Sequence, residues 1–186
     1  MSTELKYSVA TAVGVCIWKL AEHFLGFNST HMEIGQYTRI FFLILPVVMI
    51  VLGIREKRDF DYGGTLDFYD GLRTGVMISA VSAAFAAVFF SVYQYYINPE
   101  YLNHLIGFEK SRMIGDGIPA AAIDAKIDAM RTMNSFPILP IFHFVGLAVS
   151  GLFVSIIASA VLKRHSTPPS HSSREIKEDG TVSIRD

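Results

Sequence analysis

Four long apolar runs, separated by polar segments, set the organisation of the chain. They cover about residues 7–27, 37–54, 74–97 and 136–162. A helix needs about 20 predominantly apolar residues to cross a bilayer, and each run comes near or above that length. The pattern therefore predicts one membrane-spanning helix per run. The fold class that follows is an all-α membrane protein built as a four-transmembrane-helix bundle.

The first two runs carry features that a plain membrane helix lacks. The first is charged in its last third, so a cleaved signal peptide is the competing interpretation. Cleavage after Ala21 would need a small residue at the third position before the cleaved bond, where this chain has Lys19. We therefore expect this helix to remain in the mature protein.

In the middle of the second run, Pro46 removes an amide donor, which predicts a kink.

Small residues recur at every fourth position of the third run, with bulky residues on the opposite side of the helix. The small ladder consists of Gly71, Gly75, Ser79, Ala83 and Ala87. A second ladder in the fourth run consists of Gly151, Ser155 and Ser159. Because small residues let two backbones approach closely, we expect the third and fourth helices to pack together. Ala and Ser are common in membrane helices, so chance is a rival explanation.

The segment between the third and fourth runs, residues 98–135, shows helical spacing of its own. Asn98-Pro99 and Pro119 are helix start signals, and a Gly-Asp-Gly sequence between them predicts a turn. We expect a helical hairpin that rests on the membrane surface or caps the bundle.

Arginine and lysine predict the orientation, because cytoplasmic loops carry an excess of them. The side that holds the N-terminus has Lys6, Arg55, Lys57, Arg58, Arg73, Lys163 and Arg164, whereas Arg39 and Arg131 lie near helix ends on the other side. This bias predicts cytoplasmic termini and an extracytoplasmic hairpin.

Residues 165–186 are polar and rich in Pro and Ser. We expect them to form a disordered cytoplasmic tail after a membrane domain of residues 1–164.

Composition narrows the functional classes. Hydrophobic residues make up 51% of the 186 residues, and the mean hydropathy of +0.38 is high for a soluble domain. With 16 basic and 17 acidic residues, no basic field favours nucleic acid. The single cysteine, Cys16, excludes an intramolecular disulfide and a cysteine metal cluster. Phosphate-cradling loops, HExxH motifs and nucleophile elbows are missing from the sequence, so we expect no enzyme, cofactor or metal.

Ionisable residues at membrane depth are the first candidates for a site, since burying an unpaired charge in the bilayer costs free energy. Counting along the predicted helices places five at similar depth in the outer third of the bundle: Lys19, Glu22, His23, Arg39 and His143. One hypothesis is a solute site, a proton relay or a metal site. The preferred one is a structural cluster, because Lys19 and Glu22 can pair on one helical face. No ligand spacing motif supports a metal.

A charged collar at the cytoplasmic boundary is the second candidate. Its members are Arg55, Lys57, Arg58, Asp67, Asp70 and Arg73. Such a cluster anchors a helix at the interface and enforces topology. The alternative is a docking surface for a partner protein or for anionic lipid headgroups.

Several short segments, taken together, resemble a known family. They are WKLAEHFLG at residues 18–26, REKR at 55–58, GG at 63–64, the two glycines Gly71 and Gly75, and NPEY at 98–101. Their order and spacing, with the four-span layout, are similar to the domain-of-unknown-function family 4199, small bacterial inner-membrane proteins, over about residues 6–164. The resemblance implies a location in the bacterial cytoplasmic membrane. It implies no activity, so no functional residue is carried over.

The small ladders favour a non-enzymatic scaffold or accessory subunit that acts through helix packing. Its expected partners are the lipid bilayer and a second copy of the chain or another membrane protein. The first alternative is a small-solute or proton transporter or channel-like protein that uses Lys19, Glu22, His23 and His143. No inverted repeat is visible, which counts against the usual transporter plan. The second alternative is binding of lipid headgroups.

Overall fold

The computed structural model describes residues 1–164, and it is all-helical. Within that range 82% of the residues are helical and no strand is present. The predicted tail, residues 165–186, lies outside the described residues.

Seven α-helices follow one another along the chain. They are α1 Thr3–Phe24, α2 Met32–Thr38, α3 Phe41–Glu56, α4 Phe68–Val92, α5 Tyr101–Gly115, α6 Ala120–Met133 and α7 Ile138–Leu162. A π-helical turn, Lys57–Asp61, extends α3, and a second one, Tyr93–Ile97, extends α4. By length and composition, three helical segments in the described part of the chain are fit to cross a membrane: Met32–Asp61, Phe68–Ile97 and Ile138–Leu162. These correspond to the second, third and fourth predicted runs.

The helix ends differ from the predicted runs for local reasons. α1 ends before residue 27 because Gly26 adopts the left-handed conformation, with φ of 75°. The Phe27 amide then donates to the Glu22 carbonyl at 2.9 Å, which closes the helix in a Schellman-type turn. A turn at Arg39-Ile40 divides the second predicted run between α2 and α3. α4 begins at Phe68, so the polar entry before the third run is helical as well.

The closest helix–helix contact is between α4 and α7, which run antiparallel. Gly71 faces Ser159, and Gly75 faces Ser155. A Cβ atom placed on Gly75 would lie 2.7 Å from the Ser155 Cβ, and one on Gly151 would overlap Ser79. The two predicted small ladders therefore meet each other inside this chain, where glycine permits the close approach.

One end of the bundle, which we name the collar end, gathers the start of α1, the end of α3, the start of α4 and the end of α7. The backbones of Leu66 and Arg164 join there through two hydrogen bonds of 2.9 and 3.0 Å. Just inside this end is a hydrophobic core made of Ile50, Ile54, Leu66, Ile78 and Ala158.

α1 presents its polar side inward and its apolar side outward. Ser8 and Thr11 are 0% and 2% exposed, and the Ser8 hydroxyl donates to the Glu4 carbonyl at 2.7 Å. Val13 and Ile17 are 50% and 63% exposed on the outer side. This arrangement is the reverse of a helix on the surface of a soluble protein.

The opposite end of the bundle is covered by α5 and α6, and we name it the α5–α6 end. α5 begins beside α4, where the Tyr101 and Tyr93 rings lie 6.1 Å apart in an edge-to-face arrangement. The Tyr95 hydroxyl donates to the Asn134 carbonyl at 3.1 Å, which ties the end of α4 to the end of α6. The candidate polar cluster lies beneath these two helices.

Candidate functional site

Lys19 is the centre of the polar cluster, and its side chain is almost completely buried. The residue is 5% exposed. Its Nζ donates to Asn28 Oδ1 at 2.6 Å and lies 3.5 Å from Glu22 Oε2. The turn at Gly26 brings Asn28 back over the end of α1, which is how two residues nine positions apart come together.

Three aromatic rings surround the same ammonium group. The Nζ lies 4.5 Å from the centroid of the Tyr101 ring, 5.0 Å from that of Tyr93 and 5.8 Å from that of Phe42. A cation at these distances is attracted to the ring face. α3, α4 and α5 therefore each contribute one ring to the environment of a charge on α1.

The Glu22 carboxylate is buried and hydrogen-bonded on the other side of Lys19. The residue is 2% exposed. Its Oε1 accepts from Trp18 Nε1 at 3.1 Å and from the Thr38 hydroxyl at 2.5 Å. A buried ion pair is stable only when the remaining polar atoms also have partners, and α1 and α2 supply these two donors.

His23 is linked to α4 rather than to the ion pair. Its Nδ1 lies 3.3 Å from the Tyr93 hydroxyl, and Asn98 Nδ2 donates to that hydroxyl at 3.1 Å. A Tyr93 oxygen that accepts from Asn98 has its own proton left to donate to the imidazole. The start signal Asn98-Pro99 predicted that Asn98 would cap α5, but the N-cap residue of α5 is Glu100. The Asn98 side chain bonds to Tyr93 instead.

A cavity of about 460 Å³ lies between the bundle and α5–α6. Lys19, Arg39 and His143 all line it, so the structure brings three of the five predicted residues to one space. The His143 ring stacks on Phe90 with centroids 4.6 Å apart. The apolar part of the lining includes Leu105, Met130, Met133, Leu139, Phe142 and Leu147. Glu22 and His23 are not in the lining.

Arg39 differs from Lys19 in having no acidic partner. It lies in the turn between α2 and α3 and is exposed. Among residues 1–164, no carboxylate lies within salt-bridge distance of its guanidinium. The cavity therefore has one paired and one unpaired cation, and its lining carries a net positive charge.

An apolar groove of about 310 Å³ between α1 and α3 adjoins this cavity. The two spaces share Val15 and Phe42 in their linings. The remaining groove residues are Gly14, Trp18, Phe41, Ile44, Leu45 and Val48. Phe41, Ile44 and Val48 are 47%, 46% and 45% exposed, so this wall faces the surroundings of the bundle.

The collar end contains several ion pairs, and acids beyond the predicted Asp67 and Asp70 take part in them. Lys57 contacts Glu4 and also Asp61, at 3.9 Å from the latter. The other pairs are Lys6 with Glu56 at 2.7 Å, Arg55 with Asp59 at 3.8 Å and Arg58 with Asp59 at 2.7 Å. The predicted Asp70 and Arg73 line a cavity of about 290 Å³ with Glu4 and Lys57. Asp67 precedes the first turn of α4.

The remaining predicted residues belong to the helix contact. Ala83 and Ala87 continue the α4 ladder and are 1% and 6% exposed. In the part of the chain that the structure describes, no three His, Cys, Asp or Glu side chains are placed to hold a metal ion.

Sequence reasoning missed the neutral residues that complete the site, above all Asn28, Phe42, Tyr93 and Tyr101. The contact of Trp18 with Glu22 could have been predicted, because Trp18 lies four residues before Glu22 on the same helical face. Asn28 was not, since its position depends on the turn after α1. The aromatic rings come from three other helices, and no local spacing indicates them.

Comparisons with known proteins give one family and nothing more specific. Neither the curated proteins nor the solved structures contain a match to this chain. A family model described as a protein of unknown function, DUF4199, matches residues 6–164. The match covers most of the chain, which therefore belongs to the DUF4199 family.

Proposed function

We propose that the protein is a four-span protein of the bacterial inner membrane, with both termini in the cytoplasm and α5–α6 outside. The support for α1 as the fourth span is its inverted pattern, with exposed Val13 and Ile17 outward and Ser8 and Thr11 inward. Its part inside the apolar run, from Tyr7 to Phe24, has 18 residues and is about 27 Å long at 1.5 Å per residue, which is close to the thickness of a hydrocarbon core. The orientation rests on the Arg and Lys bias.

Within this architecture, we propose that the protein binds an anion that carries apolar groups, in the cavity under α5–α6. The observation that carries the proposal is the cavity itself, where the unpaired Arg39 and the buried Lys19 lie among aromatic and aliphatic side chains. Lys19 is poorly hydrated there but already paired with Glu22, whereas the exposed Arg39 has its full charge available to an anion. The low polarity of the neighbouring side chains strengthens the attraction between that charge and an anion in the cavity. The planar guanidinium of Arg also donates two parallel hydrogen bonds to a pair of phosphate or carboxylate oxygens. The proposed activity is binding without catalysis.

Octyl phosphate is a suitable probe, with octyl glucoside as the uncharged counterpart of the same chain length. A ligand that binds only the folded protein raises its thermal stability, so unfolding in maltoside detergent gives the affinity. We expect octyl phosphate to stabilise the wild type more than octyl glucoside does. Arg39→Gln should weaken octyl phosphate binding about tenfold, the loss expected for one charge-assisted contact.

Arg131→Gln is the matched control, because Arg131 lies at the same end on α6, is exposed and does not line the cavity. This variant should bind octyl phosphate like the wild type. Equal stabilisation of the Arg39→Gln variant and the wild type by octyl phosphate would refute the proposed site.

The expected scaffold function is the competing proposal, and the α4–α7 contact bears on it. The small residues that favoured it face each other within one chain, so a partner would have to bind elsewhere. The outer face of α7 offers Phe153, Ile157 and Val161, which are 63%, 65% and 75% exposed. A partner at fixed stoichiometry after purification from native membranes in mild detergent supports the scaffold; a protein that purifies alone counts against it.

Transport through the bundle needs an opening that this conformation does not have. Between the cavity and the collar end lie Ile50, Ile54 and Ile78, which are 1%, 0% and 0% exposed. Three fully buried aliphatic side chains in this region count against an aqueous path past them. The geometry thus favours binding over transport.

A further inference from the structure

The apolar groove between α1 and α3 begins where the charged cavity ends. Phe42 and Val15 belong to both linings. Arg39 is two residues before Phe41 in the chain, so the unpaired cation lies next to the head of the groove. One continuous surface therefore passes from a positive, partly polar space into a purely aliphatic and aromatic one.

The direction of the groove is along the helices, away from the α5–α6 end. On α3 it extends from Phe41 to Val48, which is about 10 Å at 1.5 Å per residue. Under the proposed topology, this direction leads from the outer boundary toward the middle of the bilayer. An anionic group followed by an acyl chain has the same order of polarity along the same direction.

The groove is also open along its side, because Phe41, Ile44 and Val48 are each about half exposed on the outer surface of the bundle. A molecule within the leaflet reaches it laterally, without crossing the α5–α6 helices. A water-soluble anion would fill the charged cavity and leave the groove unused. These observations distinguish a lipid from a soluble metabolite as the occupant.

We propose that the ligand is an anionic phospholipid of the surrounding leaflet, with its phosphodiester at Arg39 and one acyl chain in the α1–α3 groove. The inference rests on the proposed binding function and specifies its ligand class and pose. The recognition elements are a phosphate with a bidentate Arg partner and a chain in contact with Gly14, Leu45 and Val48. Neutral phospholipids lack the net negative charge that the unpaired cation favours.

The test is photo-crosslinking in nanodiscs of phosphatidylcholine that contain a small fraction of phosphatidylglycerol with a diazirine in the middle of one acyl chain. Mass spectrometry locates the labelled residues. We expect labels to concentrate on α1 and α3 along the groove, and Arg39→Gln to reduce them about tenfold. Val48→Trp fills the groove and should remove most of this labelling. Val149→Trp, on exposed α7 surface at 47% exposure, should leave it unchanged.

Two results overturn this inference while leaving the binding function intact. In the first, the photo-label is spread over all exposed helices, and neither Arg39→Gln nor Val48→Trp changes it, although octyl phosphate binding still depends on Arg39. The other is competition for the site by glycerophosphoglycerol, the chain-free headgroup, as effective as that by the intact lipid. If octyl phosphate stabilises Arg39→Gln as much as it stabilises the wild type, the proposed binding function itself is overturned. The failure of the lipid inference and the failure of the binding function therefore give different results.

Discussion

The collar end and the α5–α6 end are formed by the same four long helices, yet their open spaces differ. The collar end combines a tight α4–α7 contact with a charged cavity of about 290 Å³, whereas the cavity of the α5–α6 end is larger and mostly aromatic and aliphatic. At the collar end, Gly71 and Gly75 pack directly against serines of α7. At the α5–α6 end, the corresponding region has a space of about 460 Å³. Under the proposed binding function, the tight helix contact and the ligand site lie at opposite ends of the bundle.

The difference follows from residue size along one face of α7. From the collar end, every fourth position holds Ser159, Ser155 and Gly151, and then Leu147 and His143. The small side chains allow close approach, whereas the larger side chains of Leu147 and His143 line the cavity. Ser79 donates to the Leu147 carbonyl at 3.3 Å, where the small ladder ends. The cavity lies just beyond this point.

The two ends also use charge differently. The Lys6 and Glu56 side chains of the collar end are 51% and 25% exposed, and pairs of this kind contribute little to stability. The Lys19 and Glu22 side chains are 7% and 3% exposed. A buried pair is costly to break because the remaining charge has no water around it. The stability of the two ends should therefore respond oppositely to packing and charge substitutions.

The largest effect is expected at the tight contact. Gly75→Leu places a branched side chain where even a Cβ lies 2.7 Å from the Ser155 Cβ, so α4 and α7 must separate. We expect a loss of about 3 kcal/mol or more in the free energy of unfolding, seen as aggregation or loss of the monodisperse peak in size-exclusion chromatography. Gly146→Leu is the control, because nothing lies within 4 Å of a Cβ at Gly146 on α7. Similar behaviour of the two variants would show that the ladder contact is unimportant.

The second effect is expected at the α5–α6 end. Glu22→Gln leaves the Lys19 ammonium buried with Asn28 and three rings but without a carboxylate. We expect a loss of about 2–3 kcal/mol, measured by thermal or denaturant unfolding in detergent. The double variant Lys19→Met/Glu22→Gln removes the remaining charge and should recover part of that loss. If the double variant is no more stable than Glu22→Gln, the ion pair is not the reason for the effect.

Membership of the family, the helical class and three apolar spans were all predictable from the sequence. The apolar runs and the spacing-four ladders are local patterns, and the ladders meet as Gly71 with Ser159 and Gly75 with Ser155. The expected pairing of Lys19 with Glu22 is likewise local, at three residues on one helix. Such features depend only on the period of the α-helix.

The rest of the site depends on how distant segments meet. The cavity is lined by Leu147 and His143 of α7 and also by residues of α5 and α6 that are distant in sequence. Asn28 reaches Lys19 only because Gly26 reverses the chain. At the collar end, Glu4 pairs with Lys57 although more than fifty residues separate them. Counting charges along the chain places Glu4 and Lys57 on the same side of the bundle, but it does not show that they pair with each other.

The smallest effect is expected from acidification at the collar end. Burial raises the pKa of the Glu4 carboxyl, but the hydrogen bond from Lys57 and the attraction of its charge outweigh burial, so the pKa lies below the usual value of 4.5. A lowered pKa in the folded state means that Glu4 stabilises the protein above that usual value and loses this contribution as the pH falls below about 5. The melting temperature of the wild type should therefore fall with pH in this range more steeply than that of Glu4→Gln. Glu109→Gln, which removes a carboxyl at the other end, controls for carboxyl loss in general and should keep the steep slope. If the melting temperatures of the wild type and Glu4→Gln fall with pH at the same slope, the Glu4–Lys57 contact contributes nothing to stability.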